Sequence, residues 1–140
     1  MFAGGSLTNG PPTYTVELPI SIDLGVKKVT RYYLNLNVYR NLHYQINNKL
    51  KVAFKDMVVP FLVGVPPLPA IRLEYDLYLP NRTRRDLMNC VAVVDKFFCD
   101  VLTSVGILED DCIGYLDDIH IRFAGYDKIR PRVVATIIPV

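Results

Sequence analysis

The sequence predicts a single α+β domain in which two main helices pack against a mixed or antiparallel sheet. Three observations lead there. A chain of 140 residues is long enough for one hydrophobic core and too short for two. Two stretches, Tyr14–Leu24 and Ile71–Leu79, alternate apolar with polar residues as half-buried strands do. Two others repeat apolar residues every three or four positions, the period of an amphipathic helix.

In chain order, residues 1–13 are rich in Gly, Pro, Ser and Asn and read as a flexible arm ahead of a domain spanning 14–140. YTVELPISIDL sets Tyr14, Val16, Leu18, Ile20 and Ile22 against small or polar neighbours, a strand with an irregularity at Pro19. VTRYYLNLNVY, from Val29, reads as a second strand or an extended lead-in. Asn41 to Val59 carries Leu42, Ile46, Leu50, Phe54 and Met57 or Val58 at helical steps, with lysines on the other side. PFLVGVPPLP must turn or bend. IRLEYDLYL then alternates cleanly and is the clearest strand. Pro80 ends it and NRTRR forms the connection. Leu87, Val91, Val94, Phe98 and Val101 or Leu102 predict a helix to about Ser104, stopped by Gly106. IGYLDDIHIRF and RVVATIIPV read as two last strands, so the order is β(β)αβαββ.

Composition narrows the class. With 51% hydrophobic and 21% charged residues, wholesale disorder and a coiled coil are both excluded. No apolar run approaches the roughly 20 residues of a membrane helix, and MFAGGSLTNGPP lacks a signal peptide's basic start and apolar centre. The expected setting is therefore cytoplasmic, with no membrane partner. Cys90, Cys99 and Cys112 are odd in number and have no CxxC spacing, so they read as buried free thiols. Charge is segregated. Seven Lys or Arg and no acid fall between Lys27 and Lys55, whereas seven acids and only Lys96 fall between Asp95 and Asp118. Such a chain can offer a basic surface to a polyanion and an acidic cluster to a cation; two solvated faces would look the same.

The stretch NRTRRDLMN, residues 81–89, places Arg82, Arg84 and Arg85 ahead of Asp86 at the start of the second helix. Asn89, Lys96 and Asp100 fall within an arc of roughly 80° around Asp86 at 100° per residue. Glu109-Asp110-Asp111 follows the helix. Magnesium takes hard oxygen ligands, so Asp86 with Asp110 or Asp111 would suffice for a site. Neighbouring arginines would hold phosphates and a lysine would balance leaving-group charge, which is the equipment for phosphodiester hydrolysis. The plain alternative is a solvated basic turn, a helix-starting acid favoured by the dipole, and a surface acidic turn.

Pro80–Asn89 followed by KFFCDVLTSVGILEDD resembles the RusA-like family of Holliday-junction endonucleases, frequent in phages and prophages. The likeness covers about Ile71 to Asp118. It implies a small α+β homodimer that binds four-way DNA junctions and cuts them symmetrically with Mg²⁺ or Mn²⁺. Residue by residue, it implies catalytic roles for Asp86, Asp111 and Lys96, with Asp110 beside Asp111 at the metal. It implies DNA contacts from Arg84, Arg85 and Asn89, and Arg82, two positions earlier in the same basic stretch, reads as a further DNA contact. The chain departs from the family pattern at Met88, where a second acid is expected, and in a spacing about four residues longer between Asn89 and Lys96. Asp76 or Glu74, on the polar face of the preceding strand, are the expected replacements for that acid. Independently of the family, LNVYRNLHYQINNKLK interleaves Arg40, His43, Lys49 and Lys51 with tyrosines and amides, a pattern suited to phosphates and unpaired bases. The alternatives are a family member that binds branched DNA without cutting it, and a non-enzymatic interaction module.

Overall fold

The computed structural model describes residues 11–140. Residues 1–10, most of the expected arm, lie outside the described residues. The domain is α+β, with a four-stranded mixed sheet and a separate two-stranded hairpin. Its strands are β1 (Tyr14–Leu18), β2 (Ser21–Leu24), β3 (Thr30–Tyr33), β4 (Ile71–Leu79), β5 (Leu116–Tyr126) and β6 (Arg132–Pro139). The helices are α1 (Leu36–Asn41), α2 (Tyr44–Val58) and α3 (Leu87–Ser104), and a 3-10 turn follows α2 at Val59–Leu62.

The main sheet has the order β1-β6-β4-β5, with β4 parallel to β5 and antiparallel to β6. β4, α3 and β5 thus form a βαβ unit, the connection a parallel pair requires. The expected strand over 14–24 divides at Pro19. Proline has no N–H for a ladder, so β1 stays in the main sheet while β2 turns away to pair with β3. Gly25 makes that hairpin possible: its φ is +113°, and a Cβ there would lie 2.0 Å from the Lys28 carbonyl oxygen. The second half of the expected lead-in after Val29 is helical. Asn35 caps α1 by accepting from the Val38 N–H at 2.9 Å, and α2 begins only at Tyr44.

Alternation decides which sheet face is covered. Tyr14, Val16, Leu18, Leu73, Tyr75, Leu77, Val133, Ala135 and Ile137 are buried under the helices. Thr15 and Glu17 are exposed on the other face, and Arg72, Glu74 and Asp76 are half-buried there. Leu50, Phe54 and Val58 of α2 are buried, and Phe54 packs edge-on against Phe97 of α3 at 5.6 Å. Phe98 of α3 meets Tyr75 of β4 edge-on at 6.4 Å. The helix ends where the sequence places its stop: Gly106 has φ +80°, and the Ile107 and Leu108 N–H groups return to the Leu102 carbonyl. No helix among the described residues is long and apolar enough to cross a membrane.

Candidate nucleic-acid interface

The chain leaves the sheet at Pro80 and crosses to α3 through Arg82, Thr83, Arg84 and Arg85. This connection lies at the C-terminal ends of β4 and β5, where it borders a cleft of about 260 Å³. The floor is apolar, from Leu77, Leu79, Leu87 and Cys90, and Phe123 and Tyr126 of β5 form one wall. A second hollow of about 230 Å³ shares Leu77, Leu79, Arg85 and Cys90 and extends toward Tyr33, Leu34 and Asn35 ahead of α1. The result is a basic-rimmed groove with aromatic walls at one end of the βαβ unit.

The three arginines are all exposed and play different parts. Arg82 lies over the Tyr126 ring, 4.7 Å from its centroid. Arg85 braces the loop, donating to the Asn81 carbonyl at 3.2 Å, the Thr83 carbonyl at 3.1 Å and Asn81 Oδ1 at 2.9 Å. Arg84 makes no hydrogen bond or ion pair among the described residues, so its guanidinium is available to a phosphate. Asp86 is the N-cap of α3. Its Oδ1 accepts from the backbone N–H groups of Met88 at 3.0 Å and Asn89 at 3.4 Å, as capping aspartates do. Met88 is exposed on the first turn. Asn89 also has an internal task, accepting from the Leu36 N–H at 3.1 Å and so fastening α1 to α3.

The acidic turn stands at the other end. Asp86 precedes an 18-residue helix, and Asp111 follows it beside Cys112, whose carbonyl accepts from the Tyr115 N–H. Tyr115 in turn meets the start of β4, accepting from the Ile71 N–H at 2.8 Å. Asp111 also acts electrostatically on Cys99, thirteen residues into the motif from Asp86, which is about 20 Å along the helix at 1.5 Å per residue. Within one chain, Asp86 and Asp110 or Asp111 therefore cannot share a divalent ion whose ligand oxygens must lie at about 2.0–2.1 Å. Among the described residues no three His, Cys, Asp or Glu side chains gather at one point. The expectation of a one-chain site built from Asp86 with Asp110 or Asp111 is corrected on this ground: the helix that orders them in sequence also separates them in space.

Asp76 does not replace the acid missing at Met88. It alternates with Tyr75 and Leu77 and so faces away from α3, and both its oxygens are held by Arg122, directly across the ladder, at 2.9 and 3.0 Å. Glu74 is on the same face, 3.2 Å from Arg72. Lys96 is exposed midway along α3, about 15 Å from Asp86 along the axis, without a partner among the described residues.

The remaining basic residues are dispersed. Arg40 is exposed on α1. His43 caps α2 through Nδ1, which accepts from the Gln45 N–H at 3.2 Å, and its ring lies against Tyr44. Lys49 is exposed on α2, and Lys51 lines a shallow groove with Lys55, Phe97 and Asp100 toward the far end of α3. The groove of arginines and the lysines of α2 are separate surfaces.

Two features were not anticipated from sequence. Phe123 and Tyr126, edge-on to each other at 5.0 Å, wall the cleft; their signal is the aromatic spacing in IRFAGY at a strand end. Asp95 turns inward, accepting from the Tyr75 hydroxyl at 2.5 Å and the Cys99 thiol at 3.4 Å. Burial, reinforced by Asp95, raises the Tyr75 phenol well above its ordinary value and the Cys99 thiol likewise. Cys99 is buried and Cys90 half-buried, but Cys112 is exposed, against the expectation of three buried thiols.

Compared with models of protein families and with curated proteins, the chain matches none.

Proposed function

We propose that this protein engages branched DNA through the arginine-rimmed groove at the start of α3, and that it is a RusA-like, Mg²⁺- or Mn²⁺-dependent endodeoxyribonuclease acting as a cytoplasmic homodimer. The observation that carries the reading is the groove itself. Arg84 stands free beside a cleft whose aromatic wall, Phe123 and Tyr126, can receive a base unstacked at a junction. Arg82 and Arg85 line the same cleft. Phosphate contacts of this kind position a duplex without reading its sequence, which suits a ligand recognised by its branching. The bound ion would supply a water nucleophile and neutralise the leaving group. Because one chain keeps Asp86 apart from Asp111, no catalytic step is assigned to that pair within a single copy.

A second reading, a protein that binds branched DNA without cutting it, is favoured by Met88 and by the capping task of Asp86. One assay separates the two. A synthetic four-way junction incubated with the full chain and Mg²⁺ is expected to be nicked at paired positions, and chelator abolishes this. Asp86→Asn keeps the cap, since asparagine caps as well as aspartate. It is expected to lose at least 100-fold in cleavage while retaining the junction in a gel shift. Junction retention with no cleavage by the unaltered chain would establish the binder and remove the nuclease.

A further inference from the structure

The β2–β3 hairpin stands apart from the main sheet, yet it starts at the arginine groove. Its strands pair with each other in a sheet of their own. Tyr33, opposite Ser21 at the base of the hairpin, lines the hollow of about 230 Å³ together with Arg85 and Cys90. From Tyr33 back to Val29 the chain covers four residue steps, about 13 Å at roughly 3.3 Å per residue. There the hairpin ends in a tip, Gly25–Val29, in which every residue is exposed.

The body of the hairpin is held in place. Ile22 is buried, and Leu24 and Tyr32 pack partly buried against the core. On the outer face Arg31 donates to both oxygens of Asp23, its cross-strand partner, at 2.9 and 3.3 Å. That guanidinium ties the two strands together, and its charge is balanced. The tip is different. Gly25 fixes a tight reversal that a side chain would obstruct, and Val26 beside it is 97% exposed, so the tip stands clear of the domain. Lys27 and Lys28 are exposed and make no hydrogen bond or ion pair among the described residues. No Asp or Glu occurs in the sequence between Asp23 and Asp56 to balance them.

We propose that this hairpin is a second DNA-binding element, in which Lys27 and Lys28 hold phosphates of one duplex arm about four base pairs beyond the arginine groove. The length of the strand sets that distance, since about 13 Å spans about four base pairs at roughly 3.4 Å each. Two free ammonium groups add affinity for a duplex without reading its sequence. Anionic lipid would attract the same two lysines; the position of the hairpin's base beside Arg85 favours DNA, because one nucleic-acid backbone can run from the groove to the tip. The inference rests on the branched-DNA reading of the groove and is independent of cleavage.

The test follows binding of the full chain to a synthetic four-way junction by fluorescence anisotropy, with chelator present. Lys27→Ala/Lys28→Ala alters only exposed side chains, and its circular dichroism is expected to be unchanged. The double variant is expected to bind at least about tenfold more weakly at about 50 mM salt, and to lower the slope of log affinity against log salt by about two. Lys27→Arg/Lys28→Arg is expected to preserve both. On a junction carrying uncharged methylphosphonates from about three to six base pairs out on each arm, native chain and alanine variant are expected to bind equally. An alanine variant that binds the unmodified junction as the native chain does overturns the role of the hairpin and leaves the groove standing, as does a loss confined to vesicles of phosphatidylserine and phosphatidylcholine. Weakening by the alanine variant with none from Arg84→Ala upholds the hairpin and removes the groove. A native chain that does not bind the junction removes both.

Discussion

The two ends of α3 are built from opposite charges and held in place by different means. At the start, three arginines precede Asp86, whose carboxylate satisfies the first free N–H groups of the helix. At the finish, Glu109, Asp110 and Asp111 follow a glycine stop, and the Asp111 N–H donates to Asp110 Oδ1 at 2.7 Å within the turn. There Glu109 raises the Tyr115 phenol, the sign of a region where negative charge accumulates. The basic end is bordered by a groove and aromatic walls; the acidic end lies over the start of β4. A constellation contiguous in sequence has been stretched across the length of a helix, so the arginine groove keeps Asp86 among its lining residues but not the acids of the later turn.

The comparison is broken most thoroughly by detaching the helix. Phe98→Ala removes a fully buried ring that joins α3 to Tyr75 and is expected to cost about 3–5 kcal/mol. Urea denaturation would measure it, and a loss under about 1 kcal/mol would mean that α3 is fixed by α2 alone. A smaller effect isolates the basic end. Asp86→Ala is expected to lower stability by about 1 kcal/mol through loss of the cap, and Asp86→Asn by only a few tenths. Equal losses in the two variants would show that the charge of Asp86, and not its cap, supports the helix.

The groove is distinguished from the lysines of α2 by salt. Arg84→Ala is expected to reduce the slope of log affinity for a four-way junction against log salt by about one, and Lys51→Ala by less, since Lys51 lies toward the other end of α3. The reverse order would move the interface to α2. The smallest effect concerns pH. Backbone N–H donation from Arg130, with further help from Arg132 and Ile129, holds the Asp127 carboxyl below its ordinary value. A carboxylate lowered on folding contributes stability above its unfolded value and loses it as pH falls through the folded value. Asp127→Asn is therefore expected to flatten the acid limb of a thermal-stability profile below about pH 4, leaving the profile near neutrality unchanged.

Much of the architecture was legible because periodicity reports directly on burial. Ile71–Leu79 and Leu87–Ser104 stand where alternation and the three-four spacing place them, and Gly106 ends the helix as expected. The first strand was legible as extended and illegible as divided, since Pro19 signals an irregularity but not which sheet each half joins. The site was less legible than the fold. Asp86, Asn89 and Arg85 are polar residues that could as well serve a ligand as the backbone, and hydrogen bonds to Met88, Leu36 and Asn81 are visible only when the chain is folded. Asp76 was legible as lying on the polar face of β4, but its capture by Arg122 depends on β5 pairing in parallel, which alternation does not encode.

The sequence by itself determined the class of the fold, the main segments, the segregation of charge and the placement of three arginines immediately before a capping acid. These follow from local periods and from residue chemistry over a few positions. Tertiary structure alone decided that β4 and β5 run parallel, that the ends of α3 lie at opposite ends of the sheet, that Phe123 and Tyr126 wall the groove, and that β5 has β4 as its one strand neighbour among the described residues. The physical reason is common to all four. They depend on which strands become neighbours, and neighbours distant in sequence are selected by the joint burial of many side chains, which no single segment records.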